Sequence, residues 1–259
     1  MTEPQGSNKV AVIFGGTSGI GLATARLLID AGARVAIAGR DAGKGARAAH
    51  ELGERAHYVR ADVTSAAQVA AVIDEAVTRW GRLDWAVNAA ALSEMRPAAT
   101  ADITEHEWDS VIAADLKGVW LAMKYELPAM IRAGAGAIVN VSSVNGLSAT
   151  PMAAGYCAAK HALHGLSKTA AFEYAARGVR INVVCPGATL TPMLQGVFET
   201  LSPGDPDKTA AMYRALIPVG RIGDAVECAR AIAWLLSDAA SYVTGAVLTV
   251  DGGLALRAP

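Results

Sequence analysis

The sequence predicts an α/β protein, a doubly wound parallel β-sheet with helices on both faces. Three observations carry this. Short runs rich in Val, Ile and Ala alternate with helix-length stretches from one end of the chain to the other. The residues that stand out chemically fall where an apolar run ends: the glycine stretch at 15–21, Asp62, Asn88, Ser143 and Pro186-Gly187. Open parallel sheets hold ligands beyond those strand ends. Finally, 259 residues without an internal linker, repeat or low-complexity segment suit one domain, read here as residues 1–259.

The elements follow in order. Residues 9–14 read as a first strand, running into Gly15-Gly16-Thr17-Ser18-Gly19-Ile20-Gly21 and a helix to about residue 31. Strand, glycine turn and helix in that order make a dinucleotide site. The glycines let backbone amides approach a pyrophosphate, and the helix N-terminus favours its charge. A second strand spans 33–39, a helix 43–52 and a third strand 56–61, ending at Asp62-Val63. Ser65-x-x-Gln68 reads as a capping box opening a helix to residue 80. Residues 83–88 form a fourth strand, ending at Asn88 and an alanine corner, 89–91. Thr104-x-x-Glu107 caps a long helical stretch, interrupted near Gly118 and Pro128. Strands at 137–141, 179–185 and 246–250 complete the sheet; between the last two lie a loop-and-helix segment, 188–218, and a helix opened by Asp224.

The chemistry centres on residues 137–168. The strand ends at Ser142-Ser143, and Tyr156 and Lys160 lie four apart on the helix that follows. That spacing puts a phenol and an ammonium on one face, one turn apart. The cation favours phenolate, so the tyrosine is expected to titrate below its ordinary range and to exchange a proton with an alcohol or ketone. Ser143 is placed to hold the substrate oxygen. A Tyr-x-x-x-Lys pair alone is more often a solvated face; its joint occurrence with the glycine loop makes it functional.

Composition excludes other classes. A net charge of −1 gives no basic footprint for nucleic acid or an anionic membrane. No apolar run reaches a membrane span. The start, MTEPQGSNK, lacks a basic-then-apolar signal pattern, and a cytoplasmic location is expected. Cys157, Cys185 and Cys228 have no metal-type spacing and read as free thiols; no metal is expected. His161 and His164 read as surface or packing residues.

With these residues in place, the chain resembles the short-chain dehydrogenase/reductase family over nearly its whole length. Gly15, Gly19 and Gly21 match the family's glycine motif, and Ser143, Tyr156 and Lys160 its catalytic set. Asp62-Val63 matches the Asp-Val whose carboxylate meets the adenine amino group. Pro186, Gly187 and Thr191 match the Pro-Gly-x-x-x-Thr whose Thr holds the nicotinamide amide. The resemblance implies a Rossmann-like fold and an NAD(P)-dependent oxidoreductase acting on a secondary alcohol or its ketone. It implies a cofactor site of Gly15, Thr17, Ser18, Gly19, Ile20, Gly21, Arg40, Asp62, Val63, Asn88, Tyr156, Lys160, Pro186, Gly187 and Thr191. It also implies a homotetramer, and a lid over the substrate at about 191–217. Phe14 stands where the family has Thr, Ala89 to Ala91 replace its Asn-Ala-Gly, and Asp115 takes the place of its fourth catalytic residue, an Asn. Those departures leave open a non-catalytic dinucleotide-binding sensor or scaffold.

Ser143, Asn145, Met152, Tyr156 and Met193 are the substrate candidates. With no Arg or Lys between 191 and 207, an apolar substrate is expected, met by a lid wall that includes Phe198, Met212 and Tyr213. Cofactor choice turns on the end of the second strand. Gly39 offers no acceptor to a ribose 2′-hydroxyl, whereas Arg40 can pair with a 2′-phosphate, so NADP is favoured and NAD remains possible. Asp41 either approaches the ribose or caps the next helix.

Overall fold

The computed structural model describes residues 6–92 and 96–256. The expectation about the N-terminal lead-in lies mostly outside them. Strand β1 (Val10–Phe14) leads into α1 (Gly19–Asp30), then β2 (Arg34–Gly39), α2 (Ala42–Leu52), β3 (Ala56–Arg60), α3 (Ala66–Trp80) and β4 (Trp85–Asn88). Helix α4 (Glu105–Ile112), a π-helical turn (Ala113–Lys117) and α5 (Gly118–Ala133) follow without a break. Then come β5 (Gly136–Val141), α6 (Ala154–Tyr174) and β6 (Val179–Pro186). The short β7 (Thr189–Leu190), α7 (Pro192–Leu201), α8 (Pro206–Leu216), β8 (Gly223–Asp224), α9 (Ala225–Leu236) and β9 (Val247–Val250) complete the fold.

Seven strands form one parallel sheet in the order β3-β2-β1-β4-β5-β6-β9; β7 and β8 pair apart from it. Strands covered on both faces need apolar side chains pointing both ways, which is why the runs are continuous rather than alternating. In β1, Val12 and Phe14 enter a core with Val69, Met123 and Leu163 from α3, α5 and α6. Ala11 and Ile13 enter the opposite core with Leu28, Leu52 and Ile232 from α1, α2 and α9. Each large aliphatic chain so buried contributes roughly 1.5–3 kcal/mol. The strand order reverses between β1 and β4, which opens a crevice at their carboxyl ends.

Local signals held in part. Thr104 and Glu107 form a reciprocal capping box. Ser65 accepts from the Gln68 amide as expected, but the Gln68 side chain reaches the Asp62 N–H instead of Ser65. The interruption near Gly118 is the π turn just before it. Pro128 sits inside α5 without ending it. The expected loop-and-helix segment is two helices, α7 and α8, each with Pro at its first turn.

Candidate active site

The glycine loop forms a cradle that only glycine fits. Gly15 has φ +78°, and a Cβ there would lie 2.6 Å from the Ala90 nitrogen; a Cβ on Gly21 would collide with the Gly15 carbonyl oxygen. Helix α1 then starts at Ser18, which is extended and caps no amide with its side chain, and its first turn carries no acidic residue. Those amides suit an anionic group such as a pyrophosphate. Thr17 packs on Gly39, where an added Cβ would meet its Oγ1 at 2.9 Å, so a larger residue at 39 would displace Thr17. Ile20 seats the helix against the core.

Around this cradle stand the other strand ends. Arg40 is exposed. Asp41 accepts from the Lys44 amide at 2.8 Å and so caps α2, which holds its carboxylate below the usual range. Asp62 Oδ1 accepts from the amide and hydroxyl of Thr64, and Val63 packs on Gly118. Gly187 lies so close to Asp251 that a Cβ would sit 2.8 Å from its Cα. Thr191 caps α7 through Oγ1, at 3.3 Å from the Leu194 amide, and its methyl abuts Gly19. This brings the start of α7 to the glycine loop.

Asn88 closes β4 level with Phe14 of β1. Its side chain turns into the core, where Nδ2 donates to Asn140 Oδ1 at 2.9 Å and to Glu126 Oε2 at 3.2 Å. Asn140 in turn donates to Ser167 Oγ. The two bonds from the Asn88 amide brace β4, β5 and α5 from inside, while Asn88 Oδ1 and Glu126 Oε1 stay buried without a hydrogen-bond partner among the described residues. Glu126 is fully buried, and desolvation pushes its carboxyl up to about 8 against the opposing pull of the Asn88 bond.

Ser143, Tyr156, Lys160 and Asp115 come together at the end of β5. Lys160 Nζ lies 5.3 Å from the Tyr156 ring centre and 3.1 Å from Asp115 Oδ1, and donates to the Val141 carbonyl at 3.4 Å. Asp115 is fully buried at the centre of the π turn, and its Oδ2 accepts from the Leu92 amide at 3.0 Å. A π turn displaces a side chain by adding a residue, a device found at functional sites. Burial lowers the Lys160 ammonium, but Asp115 and Tyr156 outweigh it and the net shift is upward. The protein packed around the Tyr156 hydroxyl raises the phenol; Lys160 and a hydrogen bond with Ser143 pull it down, and Asp115 pushes it up. The net is upward, so the lowering expected from Lys160 is real but smaller than desolvation. Ser143 Oγ also accepts from the Asn145 amide at 3.1 Å.

The substrate candidates separate. Asn145 sits on the turn after Ser143. Met152 has φ +66° and is 51% exposed on the loop before α6. Met193 is half-buried in the first turn of α7. Phe198 and Tyr213 pack α7 against α8, ring centres 5.3 Å apart, and Met212 is largely exposed, so the three do not form one wall. Among the described residues, no group of three or more His, Cys, Asp or Glu is placed to hold a metal, and no helix is long and apolar enough to cross a membrane.

Sequence reasoning missed Glu126. Its helical neighbours Ala122, Met123, Ala129 and Met130 are all buried, and that spacing was a legible sign of a buried carboxyl.

Comparisons with known proteins agree with this geometry. The sequence profile described as enoyl-(acyl carrier protein) reductase matches residues 15–255. The cis-4-hydroxycyclohexanecarboxylate dehydrogenase of Sinomonas cyclohexanicum is 44% identical over 251 residues, covering 95% of this chain and 96% of its own. The cyclohexanol dehydrogenase of Acinetobacter sp. (strain SE19) is 39% identical, covering 95% and 94%. A crystal structure of levodione reductase superposes with a TM-score of 0.94 at 35% identity, covering 97% of this chain and 99% of that one. With Ser143, Tyr156 and Lys160 converging at the strand ends beside the glycine cradle, the chain belongs to the short-chain dehydrogenase/reductase family, oxidoreductases of CH–OH groups whose members work with a nicotinamide cofactor.

Proposed function

We propose that the protein interconverts a mainly apolar, cyclic secondary alcohol and its ketone, with NADP preferred over NAD. The observation that carries this is the Lys160 ammonium 5.3 Å from the Tyr156 ring centre and ion-paired at 3.1 Å with Asp115. A bound nicotinamide cofactor would supply the hydride acceptor for this chemistry. Tyr156 takes the hydroxyl proton of the alcohol, and returns it in the reverse direction. Lys160 lowers the phenol and holds the ribose. Ser143 orients the substrate oxygen. Asp115 keeps Lys160 charged and anchored.

The glycine loop from Gly15 to Gly21, Asp62, Val63, Pro186, Gly187 and Thr191 hold the cofactor, and Asn145, Met152 and Met193 line the substrate side. Relatives named for cyclohexanol and for a hydroxycyclohexane carboxylate support a ring-shaped substrate. The preference for NADP rests on Arg40: Gly39 has no acceptor, and Asp41 is committed to capping α2. The protein acts in the cytoplasm as one domain in a homotetramer. The exposed Trp120 and Phe172 on α5 and α6, with Tyr242 and Leu256 near the C-terminus, support the assembly.

The test is oxidation of cyclohexanol, 4-hydroxycyclohexanecarboxylate, a linear hydroxy acid and a phosphorylated sugar, each with NADP and NAD. Turnover confined to the cyclic alcohols is expected. A preference for the linear acid or the sugar phosphate contradicts the proposal.

A further inference from the structure

Behind the catalytic residues lies a second, buried polar cluster that the proposed mechanism does not use. His164 sits on α6 one turn after Lys160. Its Nε2 is 2.9 Å from Ser142 Oγ and 3.3 Å from Cys185 Sγ. Ser142 Oγ also donates to the Lys160 carbonyl at 3.3 Å. Gly146 closes over the ring, where a Cβ would lie 2.9 Å from His164 Nε2. Each partner of this imidazole adjoins a residue of the site. Ser142 precedes Ser143, Lys160 is one helical turn away, and Cys185 precedes Pro186.

We propose that His164 is a positioning residue: through Ser142 and Cys185 it locks the β5 corner, the Lys160 turn of α6 and the end of β6 in one register. The inference rests on the alcohol–ketone reading above. The cluster is suited to holding geometry without adding charge. Burial lowers the imidazole's proton affinity, and His161, Lys168 and Lys160 lower it further. Burial also pushes the Cys185 thiol up to about 11. With its proton on Nε2, the neutral imidazole donates to Ser142 Oγ and leaves the Ser142 hydroxyl hydrogen for the Lys160 carbonyl, so the three residues form one chain. A displacement of about 1 Å at a reacting group costs as much as a hundredfold in rate. Ser142 and Ser143 are joined by a peptide bond, so such a displacement passes directly from one to the other.

The experiment compares His164→Leu, His164→Gln and Ser142→Ala with the parent holoenzyme. Two readouts are taken: kcat for cyclohexanol, and the titration of Tyr156 by NMR of ring-labelled tyrosine, assigned by its loss in Tyr156→Phe. His164→Leu is expected to lower kcat about ten- to a hundredfold. It is also expected to move the Tyr156 titration to higher pH, because a loosened Lys160 lowers the phenol less. His164→Gln, which keeps an amide near the Nε2 position, restores most of both. Ser142→Ala reproduces both effects while sparing the helix. Combining His164→Leu with Ser142→Ala is expected to be no worse than either alone, as for members of one network. Tyr156 titrations that coincide with the parent's in both His164→Leu and Ser142→Ala overturn the proposal, whether or not cyclohexanol is oxidised. A parent inactive on every alcohol overturns the proposed function alone.

Discussion

Lys160 Nζ and Asp115 Oδ1 stand 3.1 Å apart, both side chains almost fully buried. A buried ion pair of this kind is expensive to break from one side, because the remaining charge is left uncompensated. The π turn that carries Asp115 and the helix that carries Lys160 are thereby tied together directly beneath Tyr156.

Asp115→Asn removes the charge but keeps an oxygen for the Leu92 amide. Asp115 pushes the Tyr156 phenol up, so its neutralisation lets Lys160 act with less opposition. The pH profile of kcat/KM for alcohol oxidation is expected to shift to lower pH. Asp115→Ala leaves both the ammonium and the Leu92 amide unpaired, and is expected to cost about 3–5 kcal/mol in urea unfolding. An unmoved profile in the Asn variant counts against a role for this carboxylate.

Glu126 makes stability depend on pH. Its carboxyl is pushed up to about 8 in the folded protein, against about 4.3 when exposed. Between those values the folded state holds a proton that the unfolded chain releases. The group's contribution is therefore fully present below about 4.3 and is lost as pH rises to about 8, by up to about 1.4 kcal/mol per pH unit. Glu126→Gln has no such titration. The difference in unfolding free energy between Gln variant and parent is expected to grow with pH across that window. A difference independent of pH contradicts the assignment.

Arg40→Ala should lower kcat/KM with NADP and leave NAD unaffected. A 2′-phosphate contact is worth about 1.5–3 kcal/mol, or roughly ten- to a hundredfold. A parent that prefers NAD, with that preference untouched by the substitution, contradicts the reading of this strand end.

Much of the fold was legible because its strands are buried on both faces and end in residues of unusual chemistry. Phe14, Asn88 and Val141 close strands within a residue or two of the expected positions. The π turn at 113–117 carries no punctuation of its own: Gly118 marked a disturbance, but nothing in Ala-Ala-Asp-Leu-Lys encodes a wider turn. Asn88 was read by its place at a strand end, and a strand end does not say which way a side chain turns; Glu126 and Asn140 drew it inward. The lid residues looked interchangeable along the chain, and only the meeting of Phe198 with Tyr213 separates those that pack from those left for a substrate. The shift of the Tyr156 phenol was half legible, since Lys160 is local in sequence and the desolvation that outweighs it is not.

The central claim is that the Tyr156 hydroxyl carries the proton. Its most direct test is the initial rate of cyclohexanol oxidation by Tyr156→Phe beside the parent, followed by nicotinamide absorbance at about 340 nm. The ring stays to pack and only the hydroxyl is lost. A fall in kcat of about 10²- to 10⁴-fold is expected, with cofactor Kd unchanged. Residual turnover within a few-fold of the parent contradicts the account.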